Sequence, residues 1–187
     1  MKIYTKKGDH GTTDLIGEKT VRKNHPRCEA CGELDELNAV LGMLISTLPP
    51  ELARARKDIM DIQRALVHAG TRLATLDERT EQKNTRRTLE QATGHLEKQI
   101  DAMQAELPEL HTMILPGGHP SACWAHLART VCRRVERRLV NLSDQGGHGK
   151  DFPDILQFIN RMSDYLFVLA RLCNRRTKSA EFSSSDE

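Results

Sequence analysis

Two stretches carry side chains that could handle a polyphosphate. Residues 5–13, TKKGDHGTT, gather hydroxyls, ammonium groups and glycine backbone N–H groups in one turn, the inventory of a phosphate cradle. Residues 129–138, RTVCRRVERR, put Arg129, Arg133 and Arg137 at i, i+4 and i+8, so on a helix their guanidinium groups run along one side. Like charges at that spacing repel by about 0.2–0.5 kcal/mol per exposed pair unless acids or a bound anion neutralise them. Glu136 supplies part of that neutralisation. Spacing alone leaves two readings open: a solvated face with local ion pairs, or a fork-shaped row that grips a polyphosphate. The first stretch is no P-loop, because five residues separate Gly11 from Gly17 and Glu18 stands between Gly17 and Lys19, whereas that loop needs four residues and Gly-Lys-Ser/Thr directly after them.

Other clusters are more ambiguous. In INRMSDYLF, Asn160 and Asp164 lie one turn apart and could offer oxygens to Mg²⁺ or simply pair with Arg161 and Arg171. Asp35 and Glu36 in GELDELN are acids that could hold an arginine of a neighbouring element or subunit. CEAC at Cys28–Cys31 is half a zinc motif without its other half, so packing cysteines are expected. His119, Cys123 and His126 fall at i, i+4 and i+7 and are treated as structural, since buried Cys behaves as a small hydrophobe.

The elements that must position these groups read as helices. Aromatic residues make up 4% of the chain while Leu, Ala, Arg, Glu and Lys abound, a composition of packed helices rather than sheets. From about Glu29, Leu34, Leu37, Leu41, Leu44, Ile45 and Leu48 recur three and four apart until Pro49–Pro50, one face of a helix that proline stops. A second helix spans about 51–76 with the stripe Leu52, Ile59, Ile62, Leu66, Ala69 and Leu73. The charged stretch 77–85 interrupts the pattern. A third, more polar helix follows with Leu89, Leu96, Ile100 and Met103, ending near Leu107–Pro108. A fourth starts at Pro120, a residue suited to the first turn, and runs through Trp124, Leu127, Val131, Val135, Leu139 and Leu142. SDQGGHGKD is its loop, and a fifth spans about Pro153–Arg176 with Ile155, Ile159, Met162, Leu166, Leu169 and Cys173 inward. The expected fold is thus all-α, a five-helix bundle in one domain, residues 1–176. Residues 1–27 form an irregular arm, with a short strand at KIYT, and 177–187 a mobile tail.

At 187 residues and a net charge of +2, no global basic field argues for nucleic acid or an anionic membrane. The odd count of five cysteines, with no signal peptide and no apolar run near 18 residues, points to reduced thiols in the cytoplasm.

The segments YTKKGDHGTT, ACGELDELNAVLG, ILPGG, HLARTVCRRVERR and INRMSDYLFVLARLCNR, in this order over about residues 2–176, closely resemble the ATP:corrinoid adenosyltransferases of the propanediol-utilisation type. The resemblance implies a homotrimeric five-helix bundle with ATP bound at subunit interfaces under the N-terminal arm. It implies transfer of the 5′-deoxyadenosyl group of ATP to the cobalt of cob(I)alamin, giving adenosylcobalamin and triphosphate. It also implies Mg²⁺ with the nucleotide, and, as partners, a cob(II)alamin reductase and a B12-dependent enzyme. Thr5, Lys6, Lys7, Gly8, Thr13 and Lys23 match the ATP-contacting arm. Arg133, Arg134, Arg137 and Asn160 match triphosphate, Mg²⁺ and nucleoside contacts, with Asn160 the metal-side residue. Asp35 and Arg129 match a pair that bridges adjacent subunits, and Glu136 and Asp164 are orienting acids, Asp164 toward the corrinoid. The resemblance thus makes Arg129, Arg133, Asp35 and Glu136 the catalytic group.

Two departures stand out. Met113 precedes ILPGG where the family commonly has Phe to exclude a lower axial ligand from cobalt, and Cys31 stands where an aromatic is usual. The thioether is apolar and bulky but flexible, and is expected to replace the ring in part. Met113 also keeps a second function in view, a non-catalytic adenosylcobalamin carrier or sensor of the same fold. An RNA-binding bundle is disfavoured, because no aromatic residues interleave the arginines.

Overall fold

The computed structural model describes residues 2–17, 19–75, 82–144 and 152–184. The arm carries a two-stranded antiparallel hairpin, β1 (Thr12–Leu15) and β2 (Lys19–Arg22), with Thr13 opposite Val21. The helices are α1 (Pro26–Thr47), α2 (Ala53–Ala74), α3 (Gln82–Gln104), α4 (Pro120–Asp144) and α5 (Pro153–Thr177), with a single 3₁₀ turn over Pro50–Leu52. The stretch 2–5 forms no strand. Instead the threonine-rich segment after Gly11 pairs, because β-branched residues suit a strand and Gly17, at φ 106°, turns the chain between its arms. Most of the interrupting stretch 77–85 and of SDQGGHGKD lies outside the described residues.

α1 begins three residues before the expected start. Pro26 occupies its first turn and the His25 ring accepts from Arg27 N–H at 3.2 Å, which satisfies one of the donors a helix start leaves open. α1 packs on α2 and α4, α4 on α5, α5 on α3, and α3 closes the circuit on α2. The apolar stripes meet inside: Leu37, Leu41, Leu44, Ile59, Leu66, Leu73, Leu89, Leu139, Ile155 and Leu166 are fully buried, each contributing roughly 1.5–3 kcal/mol. α5 is buried on several faces, through Phe158, Ile159, Met162, Tyr165, Leu169, Leu172 and Cys173, and so makes the central support.

One expected core position fails. Leu127 is exposed, because α4 buries Ala122, Ala125 and Ala128 with Cys132, small residues that bring the helix close to its neighbours and place Leu127 off the seam. The segment expected as a mobile tail is also ordered through residue 184. Leu115 N–H donates to Phe182 O and Ser184 N–H to Met113 O, both at 2.8 Å, around an antiparallel bridge between Ile114 and Ser183.

Candidate functional site

The arm is fixed to the bundle by its backbone. Ile16 N–H donates to Ala74 O at 2.9 Å, Leu15 is buried, and Arg27 reaches Leu73 O at 2.8 Å and Thr75 O at 3.1 Å. Out of that anchored hairpin opens a cradle of ≈ 560 Å³ lined by Thr5, Lys7, Gly8, Thr12, Thr13, Asp14, Thr20 and Lys23. Five of the six expected arm residues are among them. Lys6 is not; it takes a left-handed φ of 61° and serves the turn, its carbonyl facing Asp9 N–H. Gly8 lies close against the cradle: a Cβ there would meet Lys23 Nζ at 3.0 Å and Thr12 O at 3.3 Å, so a larger residue would shift the Lys23 side chain. Asp14 accepts from Thr20 Oγ1 at 2.7 Å, so its carboxylate braces the hairpin. Thr12 belongs to the TKKGDHGTT stretch though not to the named contacts; Asp14 and Thr20 lie outside that set, and the threonine and charged content of TTDL and KTVR was the available signal.

On α4 the arginines divide into two sets. Arg134 is held by Glu33, at 2.6 Å, and by Glu36, while Arg138 reaches Glu29 at 3.2 Å and Glu33 at 3.7 Å. These pairs fasten α4 to α1, and the bonds to Glu36 and Glu33 push the Arg134 pKa up. Arg129, Arg133 and Arg137, the i, i+4, i+8 row, make no ion pair among the described residues. The row does not stay on one side, however. Each four-residue step overshoots a full turn by about 40°, so Arg129 and Arg133 line a groove between α3, α4 and α5, while Arg137 faces a neighbouring hollow with Arg134, Arg138, Glu136 and Asn141.

The groove, ≈ 630 Å³, also presents Glu97, Asp101, Arg161, Asp164 and Phe167. Arg161 donates to Glu97 and to Asp164, each at 3.0 Å, which ties α3 to the site. Asn160 is turned elsewhere: its Nδ2 donates to Glu136 Oε1 at 2.8 Å. Asn160 and Asp164 therefore do not converge on one cation, and Glu136 serves Asn160 rather than neutralising the row. Arg129 lies over the Phe167 ring, 6.0 Å from its centroid, and its Nε is buried with no partner among the described residues. Burial and the neighbouring Arg133 charge lower its pKa. His126, buried behind it edge-on to Phe167, is pushed down to about 4 by burial and by Arg129, and so stays neutral.

Asp35 lies on the other side of the molecule's helix circuit, in a ≈ 320 Å³ groove between α1 and α2 with Ile16, Cys31 and Val67. It does not meet Arg129 within one protomer. Cys31 Sγ sits 3.7 Å from Gly70 O, and burial, with Cys28 and Asp35 nearby, pushes its thiol up to about 11. Among the described residues no group of three or more His, Cys, Asp or Glu side chains is placed to hold a metal.

Met113, 79% exposed, and Phe182, 55% exposed, lie on the two paired segments, where Phe182 is opposite Leu115 and Met113 opposite Ser184, and Leu110 and Leu115 are exposed with them. Phe182 was missed in the sequence; a lone aromatic inside AEFSSS was its only sign. The turn after Met113 is held by buried Asn174, whose Oδ1 accepts from His119 N–H at 2.9 Å and whose Nδ2 donates to Gly117 O at 3.0 Å.

A family model, cobalamin adenosyltransferase, matches residues 3–173. The chain belongs to the cobalamin adenosyltransferase family. Among its relatives, the corrinoid adenosyltransferase of Bacillus subtilis is 40% identical over 179 residues, which cover 95% of this chain and 89% of that one. The corrinoid adenosyltransferase PduO of Salmonella typhimurium is 40% identical over 171 residues, 91% of this chain and 49% of that protein, so the chain spans about half of its length. A phenylalanine-to-alanine variant of the PduO-type ATP:corrinoid adenosyltransferase of Lactobacillus reuteri, complexed with cobalamin and ATP, superposes with a TM-score of 0.90 at 38% identity, over 99% of this chain and 100% of that one. An arginine-to-lysine variant of that family member, complexed with ATP, gives a TM-score of 0.85 at 36% identity, over 97% and 99% of the two chains. The fold and the arm-plus-bundle layout are thus those of the family. No helix among the described residues is long and apolar enough to cross a membrane.

Proposed function

We propose that the protein transfers the 5′-deoxyadenosyl group of ATP to cob(I)alamin, releasing triphosphate. The observation that carries the reading is the division of the α4 arginines: Arg134 and Arg138 are engaged by α1 carboxylates, while Arg129, Arg133 and Arg137 are left facing grooves without a carboxylate partner among the described residues. Guanidinium groups left without carboxylates, though divided between two grooves, are ones a bound polyanion would neutralise.

In the reaction the Co–C bond forms as the C5′–O bond breaks, and the electron pair leaves with triphosphate. The nucleophile comes with the corrinoid, so this chain needs no general base. Its tasks are alignment and stabilisation of charge on the departing oxygens. Lys7, Lys23, Thr5 and Thr13 hold the phosphates in the cradle, Arg133 and Arg137 meet the leaving triphosphate, and Arg134 acts by fixing α4 against α1. Asn160 fits a Mg²⁺ carried with the nucleotide: its nitrogen is committed to Glu136, which leaves the amide oxygen as the donor for a hard cation. Met113 and Phe182 present an apolar face to the corrinoid, and Asp164 meets it from the groove that Arg129 and Arg133 also line.

Among the described residues the cradle and the arginine grooves share no lining residue. That separation supports a homotrimer in which one protomer's arm covers the next one's α4, and in which Asp35 of one protomer pairs with Arg129 of its neighbour. The arm through α5 then works as one catalytic unit, in the cytoplasm, with a reductase to supply cob(I)alamin and a B12-dependent enzyme to take the product.

The test is anaerobic. Purified protein, MgATP and chemically reduced cob(I)alamin are mixed while the visible spectrum of the Co–C product and released triphosphate are followed together. Stoichiometric appearance of both, abolished by Arg133→Ala, is expected; binding of both substrates without either product would overturn the reading.

A further inference from the structure

We propose that Arg171 is a positioning residue for the corrinoid face, clamping together the two chain segments that carry Met113 and Phe182. This rests on the reading of that face given above. Arg171 projects from α5, the most deeply buried helix, and is itself buried. Its Nη2 donates to Pro108 O at 3.0 Å, and its Nε donates to Glu181 Oε2 at 3.2 Å. Pro108 leads the connection that ends in Met113, and Glu181 immediately precedes Phe182. One guanidinium therefore fixes both segments from below, five and one residues away from the apolar side chains they expose.

The chemistry suits arginine and not lysine. The planar fork serves two acceptors in fixed directions at once, which a single ammonium on a flexible stem does not. The Glu181 side chain is mostly buried, and its second oxygen has no partner among the described residues. A carboxylate so placed relies on Arg171, and removing that cation leaves a desolvated charge that would draw the tail toward water. The bridge between Ile114 and Ser183, with its backbone bonds at Leu115 and Ser184, then loses the anchor beneath it, and Phe182 its place opposite Leu115 on the strand that bonds Met113. Asn174, one turn further along α5, holds the following Gly117–His119 turn, so α5 sets the whole apolar platform from a rigid base.

The experiment uses the full-length protein and a cycle of Arg171→Lys, Phe182→Ala and the double variant. Corrinoid affinity is read by spectral titration with cob(II)alamin in the presence of MgATP, alongside KM for cob(I)alamin and for ATP. Arg171→Lys is expected to weaken the corrinoid by about 10-fold, the loss of one charge-assisted hydrogen bond, with KM for ATP changed less than about 2-fold. In the Phe182→Ala background the further loss should shrink to less than about 2-fold, since two residues acting through one structure are not additive. Equal losses for ATP and corrinoid, or a full additional loss in the double variant, would overturn the proposal and leave Arg171 a general stabiliser. If Arg171→Lys does not fold, Glu181→Gln, which keeps the bond to Pro108, is taken through the same cycle with the same criteria. If the wild type binds corrinoid but makes no Co–C product, the proposed reaction fails while the titration still decides the clamp.

Discussion

Replacing Gly118 by alanine should be among the most damaging small changes this chain can undergo. Gly118 has φ 96°, a conformation strained for any L side chain, and an added Cβ would stand 2.2 Å from Asn174 Oδ1, 2.6 Å from its Cγ and 2.7 Å from Nδ2. Asn174 cannot swing away freely, because it is buried and holds His119 N–H and Gly117 O. The substitution thus costs two hydrogen bonds at about 1 kcal/mol each and strands a buried amide, with about 1 kcal/mol more for the left-handed backbone. The total is roughly 4 kcal/mol. For a chain of this length that lowers the melting temperature by about 8–16 °C. Circular dichroism melts at one fixed protein concentration provide the assay, since assembly would otherwise shift the midpoint. Gly117→Ala is the control: nothing lies within 4 Å of its would-be Cβ, so it should melt within about 2 °C of wild type. The pairing with Asn174 adds a sharper criterion, because Asn174→Ala removes the obstructing side chain and the double variant should lose less than the sum. A Gly118→Ala protein that melts with wild type, or a double variant whose losses add fully, would refute the reasoning.

Arg133→Ala should lower kcat by about 10²–10³-fold, the effect of removing one preorganised donor to developing charge, whereas Arg134→Ala should act first on stability because it breaks the α1–α4 fastening; single-turnover kinetics beside urea melts separate the two. His126 carries a pH dependence. Its folded pKa of about 4 lies below its unfolded value of 6.5, so the unfolded state binds the extra proton between those values and stability falls as pH drops through that window, by about 3 kcal/mol at most. Urea midpoints from pH 4 to 7 should show that slope in wild type and a flatter one in His126→Leu, and equal slopes would exclude His126 as the cause. Met113→Phe should ease reduction of bound Co(II) and raise turnover under reductase-limited conditions; unchanged reduction, followed by the visible spectrum, would make the thioether incidental.

The bundle was legible because core stripes at helical spacing leave little choice. Every expected inward residue of the second, third and fifth helices is buried. α4 was misread at Leu127, where a large residue looked more like core than the alanines that set the contact. The arm's cradle was legible in composition, but its hairpin was not, since a four-residue strand has too few positions for alternation to declare itself. The arginine row shows the limit most clearly. Spacing named Arg129, Arg133 and Arg137, and these are the ones without carboxylates; Glu36 was legible as an acid that could hold a neighbouring element's arginine, yet nothing local could show that Arg134 and Arg138 would be the arginines answered by Glu29, Glu33 and Glu36 about a hundred residues earlier. Phe182 escaped for the same reason: its importance comes from pairing across the chain, with Leu115, and not from its neighbours.

The fastening of α1 to α4 has a consequence for the order of events during synthesis. Arg134 and Glu33 are 101 residues apart in sequence, and α1 packs more extensively on α4 than on its own neighbour α2. As the chain leaves the ribosome, the N-terminal arm and the leucine face of α1 emerge long before the helix that completes them. Chain elongation at about 5–20 residues per second sets a wait of several seconds in which Leu34, Leu37, Leu41 and Leu44 have only α2 to cover them. The arm's cradle, translated ahead of all five helices, thus waits for the bundle that carries it, and the apolar face of α1 is open to aggregation in that interval.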